Sequence, residues 1–105
     1  MENLNTQQLK QLQNNGEKLL IDLWAPWCGP CKQLIPRLES LETKYSNVKF
    51  VKINVDENPD FAIEQNVRAV PTVIIFDGDK IINRSSGVNP DSFYTNILDT
   101  LWIQK

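Results

Sequence analysis

Histidine is absent from this chain of 105 residues, which removes at once the commonest general base and the commonest metal ligand. Proton transfer must therefore run through Asp, Glu, Lys or Cys. Cysteine is scarce as well. The two present, Cys28 and Cys31, are too few for the disulfide framework of a small secreted scaffold. A four-ligand zinc site would need carboxylates or a second chain to complete it, so no metal and no bound cofactor is expected. No apolar run approaches the roughly 20 residues of a spanning helix, and no membrane association is expected. Positive charge is not in excess: 11 Lys and Arg stand against 13 Asp and Glu, a formal net charge of −2, with a pI of about 5.0. Scattered in this way they leave no basic footprint for nucleic acid. The first residues have neither the basic head nor the apolar stretch of a signal peptide. The expected compartment is a reducing cytoplasm, where a cysteine pair is reactive or metal-binding rather than structural.

What is present suffices for one hydrophobic core. The composition, 41% hydrophobic and 23% charged, is that of an ordinary globular chain. No internal repeat, low-complexity tract or Pro/Gly-rich linker divides it. Residues 1–105 are expected to form one domain.

Asn5 followed by Gln8 is a helix-start pattern, with Leu9 and Leu12 on one face before Asn14, Asn15 and Gly16 stop it. Leu19 to Ala25 is an apolar run broken only by Asp22, too short for a helix between Gly16 and Pro26, and reads as a buried central strand. After Pro30, Cys31, Leu34, Ile35, Leu38, Leu41 and Tyr45 follow one helical face, with Pro36 removing a backbone bond and expected to kink it. Val48 to Val55 interleaves apolar residues with Lys49, Lys52 and Asn54, a strand signal. Asp56 to Asp60 turns into a short helix ending near Asn66. Val73–Phe76 and Lys80–Arg84 flank Asp77, Gly78 and Asp79, the pattern of an antiparallel hairpin. From Pro90 on, Phe93, Tyr94, Ile97, Leu98, Leu101 and Trp102 make a broad apolar stripe. The predicted order is α-β-α-β-α-β-β-α. It implies an α/β fold with a central mixed sheet of four or five strands and helices on both faces.

Trp27-Cys28-Gly29-Pro30-Cys31-Lys32 falls where a strand gives way to a helix. Cys28 is thus expected at the helix N-terminus and Cys31 one turn inside. Unpaired amides and the positive dipole end stabilise a thiolate there, making Cys28 the nucleophile and Cys31 the resolving thiol. Asp22 is costly inside an apolar strand unless it has a partner or a task. Burial is expected to raise its pKa, and a carboxylate poised near neutrality beside Cys31 can accept that thiol's proton. Trp24, on the strand parity of Asp22, is the better core tryptophan, ahead of Trp27.

The segment from Asp22 to Lys32 resembles the active-site segment of thioredoxins. Asn54-Val55-Asp56-Glu57-Asn58-Pro59, Val70-Pro71-Thr72, Phe76-Asp77-Gly78 and Gly87 resemble further landmarks of that family in the same order, so the likeness covers roughly residues 19 to 101. The resemblance implies a thioredoxin fold and a protein disulfide reductase cycling between a Cys28–Cys31 disulfide and a dithiol. It implies a cis proline at Pro71, with the Val70 backbone pairing to an extended substrate, and Gly87 and Trp27 bordering the docking surface beside Gly29 and Pro30. Lys52 resembles the lysine near the buried Asp and would pull its pKa down. Protein disulfides are the implied substrates, a separate thioredoxin reductase the electron donor, and a monomer the working form. Gly-Pro between the cysteines resembles reducing members rather than isomerases or oxidants. Leu23 and Pro26 depart from the family pattern, and the short N-terminus suggests a missing first edge strand. Two other readings stay open: a binding module whose redox turnover is incidental, and an oxidant or isomerase of an exported compartment.

Overall fold

The structure is a computed structural model, described here over residues 1–102. Its elements are β1 (Glu2–Asn3), α1 (Thr6–Asn14), β2 (Lys18–Trp24), α2 (Gly29–Glu42), β3 (Lys49–Asn54), α3 (Pro59–Glu64), β4 (Thr72–Asp77), β5 (Lys80–Ser86) and α4 (Asp91–Leu101). One mixed sheet of five strands runs in the order β1-β3-β2-β4-β5. β3 is parallel to β1 and β2, whereas β4 is antiparallel to both β2 and β5.

β2 lies at the centre because it is apolar on both faces, as a strand covered from two sides must be. Leu20 faces Leu34, Leu38 and Leu41 of α2 and Tyr94 and Leu98 of α4. Leu19, Ile21 and Leu23 face the opposite way, toward Leu9 of α1 and Phe61 of α3. β3 divides likewise, with Phe50 on the first side and Val51 and Ile53 on the second.

The α1 start is a complete capping box: Gln8 N–H donates to Asn5 Oδ1 at 2.8 Å and Asn5 N–H to Gln8 Oε1 at 2.9 Å. α2 runs from Gly29 to Glu42 as a single helix through Pro36. Gly78 turns the hairpin at a φ of 64°, where a side chain is strained. A Cβ there would also stand 3.4 Å from the Gln13 carbonyl oxygen and from Gly16 Cα.

Three expectations need correction. The first edge strand exists: Glu2 and Asn3 pair with Val51 and Lys52. Leu101 does not join the apolar stripe of α4, whose buried members are Tyr94 and Leu98, but stands exposed. Trp24, expected in the core, is only half-buried, because it closes β2 at the sheet's end, where its indole N–H reaches Asn3 Oδ1 at 3.0 Å.

Candidate active site

The C-terminal end of β2 delivers the chain to a tight turn in which the Cys28 N–H donates to the Ala25 carbonyl at 3.1 Å. α2 begins at the next residue, so Cys28 is its N-cap. Gly29 and Pro30 form the exposed first turn. Proline is tolerated there because its missing N–H has no partner to lose. Cys28 and Cys31 are joined as a disulfide with Cα atoms 5.3 Å apart. The Cys31 N–H donates to Cys28 Sγ at 3.2 Å, a bond that would favour a thiolate at Cys28 once the disulfide opens. Cys28 is 4% exposed and Cys31 fully buried, an asymmetry that leaves Cys28 the sulfur a partner reaches first.

The loop before β4 meets this turn from the other side. The Val70–Pro71 peptide is cis, and the Val70 carbonyl oxygen lies 3.5 Å from Cys28 Sγ. The Gly87 N–H donates to the Pro71 carbonyl at 2.9 Å, bringing Gly87 beside the same loop at a φ of 79°. Trp27 is 70% exposed and fixed at its edge by an indole N–H bond to Asp56 Oδ2 of 2.9 Å. Asp56 is held in turn by the loop after β3, where its N–H donates to Asn54 Oδ1 at 2.9 Å. Beside Trp27 a pocket of about 120 Å³ is lined by Val55, Ala62, Val67, Arg68, Ala69 and Val70. A larger recess of about 350 Å³, among Glu2, Glu17, Glu42 and Lys49, lies at the opposite end of β2 and β3.

Asp22 is wholly buried on the sheet face that α2 covers, the face of Leu20. Neither carboxylate oxygen has a hydrogen-bond partner among the described residues. Burial pushes its pKa up to about 7, against the pull of the Lys52 ammonium. Lys52 stands opposite Asp22 in the β2–β3 register, its Nζ 5.2 Å from the centre of the Trp24 ring. Sequence reasoning therefore named side chains that converge on one end of the sheet. It missed Asp56 and Arg68, since their contacts with Trp27 and its pocket join segments far apart in the chain and leave no local pattern.

A disulfide-bonded cysteine pair at a helix start beside a cis proline is equipped for thiol–disulfide exchange. The thioredoxin family model matches residues 2–99. The chain belongs to the thioredoxin family. It is 39% identical over 87 residues to a thioredoxin of Pyropia yezoensis, covering 82% of this chain and 81% of that one. To the mitochondrial thioredoxin-3 of Saccharomyces cerevisiae it is 40% identical over 95 residues, 90% of this chain and 75% of the relative. The crystal structure of that thioredoxin-3 in its oxidized form superposes with a TM-score of 0.84 at 39% identity, covering 94% of each chain. The thioredoxin of Fasciola hepatica does so at 0.84 and 33% identity, over 92% of this chain and 96% of the other. Thioredoxins are thiol–disulfide oxidoreductases, and this one carries its cysteine pair at disulfide distance, ready for dithiol–disulfide exchange. No helix among the described residues is long and apolar enough to cross a membrane.

Proposed function

We propose that this thioredoxin works as a protein disulfide reductase, as one domain and a monomer, with Cys28 as nucleophile. The observation that carries the reading is the contrast between a Cys28 sulfur at a helix start and a Cys31 sulfur sealed beneath it. Cys28 thiolate attacks a substrate disulfide, forming a mixed disulfide and releasing one substrate thiolate. Cys31 then attacks Cys28 Sγ, the mixed disulfide breaks, and the second substrate thiolate leaves as the Cys28–Cys31 disulfide closes. Two electrons pass to the substrate. The Cys31 proton must leave for this attack, and Asp22, with its pKa near 7, is the acceptor, directly or through water. Lys52 tunes that acceptor.

Substrate recognition falls to Trp27, Gly29, Pro30, Val70, Pro71 and Gly87. Extended substrate backbone pairs at Val70, and an apolar side chain enters the pocket beside Trp27. A separate thioredoxin reductase returns the electrons. The working compartment is the cytoplasm, since a reductant holds its dithiol form only against a reducing poise. A mitochondrial relative makes the mitochondrion the other compartment to examine.

Trapping tests the assignment. Cys31→Ser, mixed with a protein disulfide, is expected to accumulate a covalent adduct through Cys28, visible by mass spectrometry and released by dithiothreitol. Cys28→Ser is expected to form none and to reduce nothing. No adduct with Cys31→Ser, together with no reduction of the protein disulfide by the parent, would leave a binding module in place of an enzyme.

A further inference from the structure

The pocket beside Trp27 is lined by apolar residues and by one charged residue, Arg68, which is exposed. The charged groups of α3 and those next to it are already engaged, while Lys32 of α2 is exposed but does not line this pocket. Lys10 pairs with Glu64, and Arg84 donates to the Gln65 carbonyl. Asp56 holds the Trp27 indole, Glu57 accepts from Asn54 Nδ2 at 3.1 Å, and Asp60 accepts from the Thr6 hydroxyl at 2.9 Å. Each carboxylate between residues 56 and 64 thus has a partner, and none of those partners is Arg68. The Arg68 side chain is exposed and forms no hydrogen bond or ion pair among the described residues. It is three positions before Pro71, on the loop whose Val70 carbonyl touches Cys28 Sγ.

A planar guanidinium beside an apolar pocket is a receptor for a carboxylate held next to an apolar side chain, because its forked donors match both carboxylate oxygens. We propose that Arg68 makes this thioredoxin charge-selective, favouring protein disulfides whose reacting segment pairs an apolar residue with an Asp or Glu. The proposal rests on the reading that substrate docks at Trp27 and Val70, and adds to it the class of sequence preferred. Arg68 is a specificity residue and takes no part in the exchange. The electron balance is unchanged: the protein dithiol becomes a disulfide and the peptide disulfide becomes two thiols.

The test uses an eight-residue peptide containing one leucine and one cysteine, the cysteine linked through a disulfide to 2-mercaptoethanol. Glu, Gln or Lys is placed in turn at each of the two positions on either side of the cysteine. The readout is the second-order rate constant for reduction by the reduced protein, one dithiol consumed for each disulfide reduced, with the neutral disulfide of 2-mercaptoethanol as a substrate that presents no charge to Arg68. At one or more positions Glu is expected to exceed Lys by about threefold to fivefold, the range of an exposed ion pair. The preference is expected to vanish in Arg68→Ala, to reverse in Arg68→Glu, and to fade at about 1 M salt, where screening acts within ~3 Å. Reduction of the neutral disulfide is expected to match the parent in both variants. Equal rates for Glu and Lys at every position, or a preference that survives Arg68→Glu, would overturn the charge selection while leaving the exchange reading intact. Failure of the parent protein to reduce any peptide would overturn the exchange reading itself, and the selection with it.

Discussion

Asp22 and Lys52 stand directly across from each other on β2 and β3, yet the carboxylate has no hydrogen-bond partner among the described residues and the ammonium lies over the Trp24 ring. The pair is electrostatically coupled without being closed into a salt bridge. Desolvation therefore outweighs attraction at Asp22, and its pKa rises from the ordinary 3.8 to about 7. A closed pair would have the opposite shift and could not take up a proton near neutrality.

The raised pKa ties folding stability to pH. The folded state keeps its Asp22 proton between about pH 4 and about pH 7, whereas the unfolded chain has lost it, so stability falls as pH rises through that window. At about 1.4 kcal/mol for each pH unit the window spans, the cost above pH 7 is on the order of 4 kcal/mol. Asp22→Asn is expected to match the parent below pH 4 and to exceed it by several kcal/mol at pH 8. Urea denaturation across this range checks it. A difference that did not change with pH would refute the assignment. The same variant is expected to slow resolution of the mixed disulfide by about tenfold or more, as loss of a proton acceptor does.

Lys52 acts on the same group from across the strands. Its charge favours the ionised carboxylate, so Lys52→Gln is expected to move the Asp22 midpoint above 7 and to extend the stability loss to higher pH. Carboxyl carbon NMR of Asp22 through a pH titration reads this directly. A midpoint that stayed in place would show that Lys52 only packs on Trp24.

The Tyr94 hydroxyl is buried without a partner among the described residues, while its ring fills the core between α4 and the sheet. Removing a lone buried hydroxyl leaves nothing unpaired behind it. Tyr94→Phe is expected to stabilise the fold by about 1 kcal/mol, a rise of roughly 4 °C or more in melting temperature for a domain of this size. A loss of stability instead would mean that the hydroxyl bonds to an internal water.

How far the sequence could be read follows from how far each signal reaches along the chain. The capping box at Asn5 and Gln8 and the faces of α1, α2 and, up to Leu98, α4 rest on local spacing, and were legible. Cys28 at the start of α2 follows from a strand meeting a proline-bearing helix start. β1 was not legible: two exposed residues, Glu2 and Asn3, have no hydrophobic pattern and join the sheet through backbone bonds alone. Trp24 misled because parity gives the face of a strand, not how far the covering helix extends over it. The Trp27–Asp56 bond and the place of Arg68 in the pocket lining depend on chain segments that meet only in the folded molecule.

Trp27 depends on Asp56 for more than proximity. With 70% of its surface exposed, the indole has little packing to hold it, and the 2.9 Å bond to Asp56 Oδ2 is the contact that fixes its orientation beside the pocket. Asp56→Ala leaves the ring free to rotate, so part of the docking surface must be reordered each time a substrate binds. A bond of about 1 kcal/mol corresponds to a rise of about fivefold in KM for a protein disulfide, with kcat expected to stay near that of the parent. Asp56 also brings a charge beside Trp27, and the control separates the two effects. Asp56→Asn removes the charge and keeps an oxygen acceptor for the indole, so it is expected to restore KM. If both variants raised KM alike, charge and not orientation would be what Asp56 contributes.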